Sequence, residues 1–322
     1  MFHAIAQTID TFITNSYTFF FKEKKSLICV LFHGLFRDKT EIDSGAVDPQ
    51  QSITVEIFQE FIEYFIEQEY VFVSPNDIVE GLDDKKNHIL ITFDDGYYNN
   101  HLALPILEKF HVPALFFIST DHVIQNKCFW WDVIYRERRR EGAGIDKINR
   151  EIERMKQKKN HEIENYILDI FGEESLLPIG DIDRPFMPDE LKSFSRSPFV
   201  FLGNHTSSHA ILSNYSHDEI RNEIENAQNR IFEITGVKPC SIAYPNGNYT
   251  DEVLKVCEEL GLKIGITTKA HKNYLPIRAG TKKALELNRF ILWGDRDIES
   301  QCRSFRSDLQ PLAFAKRIVK RN

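Results

Sequence analysis

The sequence predicts an α/β fold, namely a distorted (β/α)7-type barrel that carries a helical insertion. Short apolar runs alternate with helical patterns along most of the chain, which is typical of βα units and a largely parallel sheet. About seven strands are predicted, enough to close or nearly close a barrel. The stretch at about residues 120–198 interrupts this alternation. We therefore treat residues 1–322 as one domain with an insertion at about 120–198.

The first half of the barrel begins with the apolar run Leu27–Phe32, which is typical of a strand buried on both faces. A helix is predicted over Val55–Glu67 because Phe58, Phe61, Ile62 and Phe65 recur at helical spacing. The remaining elements predicted for this half are strands at 70–73, 89–93 and 114–118 and a helix at 102–110.

The insertion is rich in charge, as in the run Arg136–Glu141, and has little strand character. Its apolar content predicts no separate core, so we expect helices attached to the barrel and no independent domain.

The second half resumes with a strand at Phe199–Leu202. Ser216 and Glu219 form a capping-box pattern that opens a helix to about Thr235, where Gly236 ends it. The other elements predicted here are strands at 241–244, 264–267 and 287–292 and a helix at 251–260.

Composition restricts the partners and the compartment. There are 48 acidic and 40 basic residues with a net charge of -8, which argues against a nucleic-acid surface. The five cysteines have irregular spacing and no CxxC pair, which favours free thiols in a reducing compartment. No signal-peptide pattern or membrane-spanning run is found, so we expect a cytoplasmic protein.

The two ends of the chain leave peripheral membrane association open. The aromatic stretch Thr11–Phe21 precedes Lys22, Lys24 and Lys25, which fits an interfacial helix but fits a helix packed on the domain better. The basic residues Lys316, Arg317, Lys320 and Arg321 fit a solvated tail by default.

Three polar clusters directly follow predicted strands: His33, Asp94-Asp95-Gly96, and His205 with His209. The carboxyl ends of parallel strands line the active sites of such folds, so their position is informative. Taken singly, each cluster also fits a turn or a structural hydrogen bond.

Together the clusters predict a metal site. One carboxylate and two imidazoles are a common ligand set for hydrolytic zinc or a similar divalent ion. Four-residue spacing lets His205 and His209 face one point if the segment turns helically, and Thr206 and Ser207 could orient the ligands. The second aspartate of the pair is then free to act as a base.

Three motifs carry a family resemblance: ITFDDG at 91–96, HTSSH at 205–209 and AYPNG at 243–247. Their order and spacing resemble the polysaccharide deacetylases, carbohydrate esterase family four, which share the nodulation-type deacetylase homology domain. The run Trp130-Trp131-Asp132 is similar to one in members linked to exopolysaccharide and surface-glycan synthesis, although both tryptophans could simply cap the insertion.

The resemblance implies a metal-dependent N-deacetylase, with Zn²⁺ as the favoured ion and a carbohydrate as substrate. It implies that Asp94 is the general base and that Asp95, His205 and His209 bind the metal. Tyr244, Pro245 and Asn246 would lie beside the substrate, and a backbone N–H near Asn246 would help to hold the oxyanion.

The sequence departs from the family pattern at two places. Ala243 stands where an arginine usually contacts the base, and no late catalytic histidine after a leucine is found. We predict that Arg289 supplies the missing charge and that His33 acts as the acid. An ordinary ion pair for Arg289 and a structural hydrogen bond for His33 are the alternatives.

The sequence leaves several substrates open. An N-acetylated sugar in a polysaccharide, a lipid-linked glycan or a nucleotide-linked sugar fits the resemblance. The alternatives are hydrolysis of a formamide or related small amide, and a homologue that binds glycan without turnover.

Overall fold

The computed structural model describes residues 23–308, and its main sheet has nine strands in that range. The aromatic stretch Thr11–Phe21 and the basic C-terminal residues lie outside the described residues. The strands are β1 Ser26–Phe32, β2 Leu35–Phe36, β3 Ile53–Thr54, β4 Val71–Phe72, β5 His88–Phe93, β6 Ala114–Ile118, β7 Val200–Asn204, β8 Ser241–Ala243, β9 Ile264–Ile266, β10 Asn273–Tyr274 and β11 Phe290–Ile291.

The α-helices of the same range surround the sheet. They are α1 Lys39–Asp43, α2 Val55–Glu67, α3 Pro75–Glu80, α4 Leu104–Phe110, α5 Thr120–Gln125, α6 Trp130–Arg140, α7 Ile145–Met155, α8 Asn160–Phe171, α9 Pro188–Phe194, α10 His217–Thr235, α11 Asp251–Glu259 and α12 Ile298–Arg306. None of these helices is both long and apolar enough to cross a membrane.

The sheet is mostly parallel and curls into a distorted barrel. Its order is β10-β1-β5-β6-β7-β8-β9, with β4 paired to β5 and β11 paired in parallel to β1. Leu287, just before β11, forms a parallel bridge with Ile266 of β9. The segment 287–291 therefore lies between β9 and β1, and the predicted distorted barrel is confirmed.

The core explains why these segments form strands and helices. Every residue of β1 and β5 is buried, as expected for parallel strands covered on both faces. Helix α2 buries Phe58, Phe61, Ile62 and Phe65, and its first two phenylalanines pack edge-on against Phe32 of β1. Burying side chains of this size contributes about 1.5–3 kcal/mol each.

Several elements differ from the prediction. The helix predicted from Leu102 begins as a 3₁₀ turn at Tyr98–Ala103, and its α-helical part starts only at Leu104, directly before Pro105. Proline lacks an N–H and fits only the first turn of a helix, which explains this boundary. The last predicted strand shortens to Phe290–Ile291. The β2–β3 pair and helix α12 were not predicted.

The insertion is helical, as predicted, and comprises α5 to α9. The expectation that its apolar content is too small for a core is wrong, because its helices bury an apolar cluster of their own. This cluster comprises Tyr97, Cys128, Phe129, Trp130, Trp131, Val133, Ile134, Tyr135, Ile148, Ile152, Met155, Ile163, Ile167 and Leu176. The buried apolar residues of α7 and α8 lie on one face of each helix, whereas the first two turns of α6 are buried all round. Charged residues elsewhere in these helices mask the apolar ones in a simple composition count.

Candidate metal centre and surrounding cleft

A cleft of about 340 Å³ opens at the carboxyl ends of the barrel strands. Its lining includes residues that follow β1, β5, β7, β8 and β9, together with Trp130, Trp131, Ile152 and Lys156 from the insertion. The strands and the insertion thus build one concave site, at the end of the barrel where parallel α/β folds carry their chemistry.

Asp95, His205 and His209 converge at this cleft. Asp95 Oδ1 lies 3.3 Å from Nε2 of His205 and 3.3 Å from Nε2 of His209. One potential ligand atom from each residue lies within 4.8 Å of the others. We call these three residues the metal triad.

The two histidines reach the same point by a route different from the predicted one. No helix spans 205–209; instead, Thr206 and His209 adopt left-handed conformations with φ of 64° and 56°. Glu223 of α10 holds the intervening loop by accepting hydrogen bonds from the backbone N–H groups of Ser207 and Ser208. The expected helical turn is therefore wrong, although the convergence that it was meant to explain is observed.

The two imidazoles of the metal triad are held differently. His205 Nδ1 lies 2.9 Å from the carbonyl oxygen of Ala243, an acceptor that favours the Nδ1–H tautomer and leaves the Nε2 lone pair toward Asp95. His209 Nδ1 is buried without a hydrogen-bond partner in the described part of the chain. The His209 ring instead packs on Trp131, with 4.6 Å between ring centroids.

Asp94 has a different partner from its neighbour. Arg289, fully buried on the segment that precedes β11, donates from both terminal nitrogens to the two oxygens of Asp94, at 2.7 Å each. It also donates to the Thr92 hydroxyl at 3.1 Å. Burial raises the pKa of Asp94, but Arg289 and His205 outweigh burial and hold this pKa below its ordinary value.

Asp95 has no such partner. Both of its carboxylate oxygens are buried without a hydrogen bond from any described residue, and the nearby histidine nitrogens are not aligned to supply one. Burial raises the pKa of Asp95, but His33, His205 and His209 outweigh burial and hold this pKa well below its usual range. The backbone of Asp95 has a φ of 75°, a strained conformation of the kind found at functional sites.

His33 lies at the same cleft. Its Nε2 is 4.0 Å from Asp95 Oδ2, and its Nδ1 is 2.9 Å from Oε1 of the buried Gln51. The backbone carbonyl of His33 accepts a hydrogen bond from Asn100 Nδ2 at 2.7 Å. The ring is thus fixed from one side and presents Nε2 toward the metal triad. No motif in the sequence pointed to Gln51 or Asn100.

The AYPNG segment reaches the cleft only in part. Asn246 lines the cleft and has a φ of 58°. The following Gly247 is also left-handed, and a side chain there would collide with Thr268. Tyr244 is fully buried and donates its hydroxyl to the carbonyl oxygen of Leu285, and Pro245 is also buried outside the cleft lining. The side chains of Tyr244 and Pro245 therefore support this turn from behind.

A buried network ties the insertion to the barrel. Trp131 Nε1 donates to the Tyr97 hydroxyl at 2.9 Å, and that hydroxyl donates to Asp132 Oδ2 at 2.8 Å. Asp132 Oδ1 accepts from the backbone N–H of Asp48 at 2.9 Å. Trp130 and Trp131 thus belong both to the apolar cluster of the insertion and to the lining of the cleft.

The donor set fits a divalent ion. Buried carboxylate oxygens without hydrogen bonds are costly, and a cation between Asp95 and two neutral imidazoles would satisfy them. One carboxylate with two histidine nitrogens matches the ligands of hydrolytic zinc and related ions. The three residues present therefore suit the ion that the sequence predicts.

The family model described as polysaccharide deacetylase matches residues 81–265, which is more than half of the chain. Comparison with curated proteins gives no match.

Several solved structures share the fold. The deacetylase PplD of Streptococcus pyogenes, solved in complex with acetate, is 17% identical with a TM-score of 0.59, over 88% of this chain and 99% of that one. IcaB from Ammonifex degensii is 15% identical with a TM-score of 0.58, and the match covers 88% of this chain and 99% of IcaB. The BpsB deacetylase domain from Bordetella bronchiseptica is 15% identical with a TM-score of 0.53, and the match covers 84% of this chain and 97% of that domain. At these identities the likeness concerns the fold.

Proposed function

The chain belongs to the polysaccharide deacetylase family, and from this premise we propose that it is a metal-dependent N-deacetylase of an N-acetylated sugar. The observation that carries the proposal is the metal triad at the cleft, beside Asp94 and its buried partner Arg289. We assign Asp95, His205 and His209 as the metal ligands, with Zn²⁺ as the favoured ion.

A bound divalent ion would supply Lewis acidity that activates water and polarises the acyl oxygen. We assign Asp94 as the base that takes a proton from the attacking water. Arg289 supports this role because it orients both carboxylate oxygens and keeps them ionised near neutral pH.

The amine of an amide is a poor leaving group unless it receives a proton. We assign this donation to Nε2 of His33, the nitrogen that faces the metal triad while Gln51 holds Nδ1. We assign the backbone N–H of Asn246 to the developing oxyanion, because its turn lies at the cleft. A well-aimed donor of this kind contributes about 3 kcal/mol.

The test measures metal content and product together. Zinc-loaded wild type should bind about one ion per chain and release acetate from N-acetylated oligosaccharides. A His205→Ala, His209→Ala double variant should lose both properties. Release of formate from formamides without acetate release would replace this function with a deformylase.

The assignment of His33 is tested separately. His33→Ala should keep its metal and lose about 10²- to 10⁴-fold in rate, the usual contribution of a positioned acid. A rate within twofold of wild type would remove His33 from the mechanism and leave it a structural role.

A further inference from the structure

Besides the metal triad, Asp94 and His33, the cleft is lined by two more charged side chains, Asp48 and Lys156. They come from different parts of the chain. Asp48 belongs to the loop between α1 and β3, whereas Lys156 follows α7 of the insertion. Both side chains are partly exposed at the cleft, and the proposed mechanism uses neither.

Asp48 is held in place through its backbone. Its N–H donates to the buried Asp132 at 2.9 Å, and its own Oδ1 accepts from the backbone N–H of Gln50 at 3.0 Å. Within residues 23–308, Oδ2 forms neither a hydrogen bond nor an ion pair. A carboxylate oxygen with spare acceptor capacity is therefore fixed at the cleft.

Lys156 complements Asp48 as a donor. Its ammonium group has three N–H donors and pairs with Glu153 at 2.6 Å, which leaves donors free. Its backbone carbonyl accepts from Asn214 Nδ2 at 3.0 Å, so the position of Lys156 is tied to the loop that follows β7. Asp48 and Lys156 thus offer an acceptor and a donor in the same cleft.

The opposite charges of Asp48 and Lys156 disfavour binding of a charged ligand group between them. Burial raises the pKa of Asp48 and outweighs the opposing effects of the Gln50 N–H, His33 and Lys156. The ammonium group of Lys156 thus already acts on this carboxylate. A cationic amine on the ligand would meet Lys156, and an anionic group would meet Asp48. A neutral group that both accepts and donates hydrogen bonds suits the pair, and a sugar hydroxyl is such a group.

We propose that Asp48 and Lys156 form a hydroxyl-binding subsite that selects substrates with free hydroxyl groups beside the acetamide. The inference rests on the proposed deacetylase function and extends it to substrate choice. Ile152, Ile211 and Ile291 line the same cleft and provide an apolar surface for the C–H face of a sugar ring.

The test compares a sugar substrate with one that lacks hydroxyls. The zinc-loaded full chain is assayed on an N-acetylglucosamine tetramer and on 4-nitrophenyl acetate. Asp48→Asn and, separately, Lys156→Met should each lower kcat/KM on the tetramer about 10- to 100-fold. The first variant removes the charge that strengthens a hydrogen bond, and the second removes the charged donor itself. Both should leave hydrolysis of the aryl ester within twofold of wild type.

Asp43→Asn is the matched control, because Asp43 is an exposed carboxylate at the end of α1. It should change neither rate. Equal losses on both substrates in the Asp48 and Lys156 variants would overturn the proposal, since those residues would then act on the chemistry. Unchanged rates on the tetramer would overturn it as well.

Calorimetric titration of the tetramer separates this proposal from the proposed function. If wild type binds the tetramer without releasing acetate, the deacetylase function fails, while weaker binding by Asp48→Asn and Lys156→Met still supports the subsite. If wild type does not bind the tetramer, or if both variants bind it as tightly as wild type does, the subsite is refuted.

Discussion

Asp94 and Asp95 are adjacent in sequence and both almost fully buried, yet their surroundings are opposite. Both oxygens of Asp94 receive hydrogen bonds from Arg289, whereas both oxygens of Asp95 lack a hydrogen bond from any described residue. A carboxylate already neutralised by a guanidinium has little need of a metal, whereas a buried one that accepts no hydrogen bond would be stabilised by a cation. The partner, and not the degree of burial, distinguishes the proposed base from the proposed ligand.

The largest effect should come from Asp95→Asn. This substitution keeps the size of the side chain but removes the charge that the proposed metal requires, so metal content should fall below about one tenth of an ion per chain and activity should fall to background. Elemental analysis after dialysis, beside an activity assay, measures both. Full metal content in this variant would contradict the ligand role.

Asp94→Asn should distinguish the proposed role of Asp94 as a base from that of Asp95 as a metal ligand. The loss of a general base should reduce kcat about 10²- to 10⁴-fold while the metal content stays near wild type, because Asp94 is not among the proposed ligands. The same elemental analysis and a kcat measurement give the comparison. Loss of metal equal to that of Asp95→Asn would mean that both carboxylates bind the ion.

Arg289→Met should alter stability and pH dependence. It leaves Asp94 buried and unpaired, which costs about 3–5 kcal/mol of unfolding free energy. Without Arg289 the effect of burial dominates and the pKa of Asp94 rises, so the base is protonated over a wider acidic range. The acid limb of the kcat/KM profile should therefore move to higher pH.

A double variant provides the control for Arg289. Asp94→Asn in the Arg289→Met background removes the unpaired charge and should restore part of the lost stability in urea unfolding. A pH profile identical to wild type in Arg289→Met would show that Arg289 does not influence the base.

The smallest effect should come from Trp131→Phe. The indole packs on His209, whose Nδ1 has no hydrogen-bond partner among residues 23–308. A smaller ring should therefore loosen this ligand and weaken metal affinity about tenfold. Zinc titration against a competing chelator measures the change. The affinity should respond more to Trp131→Phe than to Trp130→Phe, because the His209 contact belongs to Trp131.

The barrel could be predicted from the sequence because its pattern is local. The apolar run of β1 and the helical spacing of the phenylalanines in α2 identify their elements without tertiary information. The apolar cluster of the insertion was missed, since its members are spread over three charged helices and become a core only when those helices pack together.

The part of the site that could be predicted consists of residue types with few chemical roles, such as metal-binding histidines and charged side chains. Asp95, His205 and His209 come together as expected, and Arg289 reaches Asp94 although 195 residues separate them. Gln51, Asp48 and Tyr97 could not be identified, because their positions depend on loop conformations and on pairings across distant parts of the chain. The left-handed residues Thr206 and His209 likewise follow from tertiary contacts and not from spacing.

The segment 287–291 lies between β9 and β1, and it also carries Arg289. The last part of the barrel to emerge during synthesis thus delivers the counter-charge for a carboxylate encoded 195 residues earlier. A nascent chain that has made only β1 to β9 already contains the metal triad but lacks the partner of Asp94. Translation must therefore pass residue 289 before the carboxylate of Asp94 can receive its counter-charge.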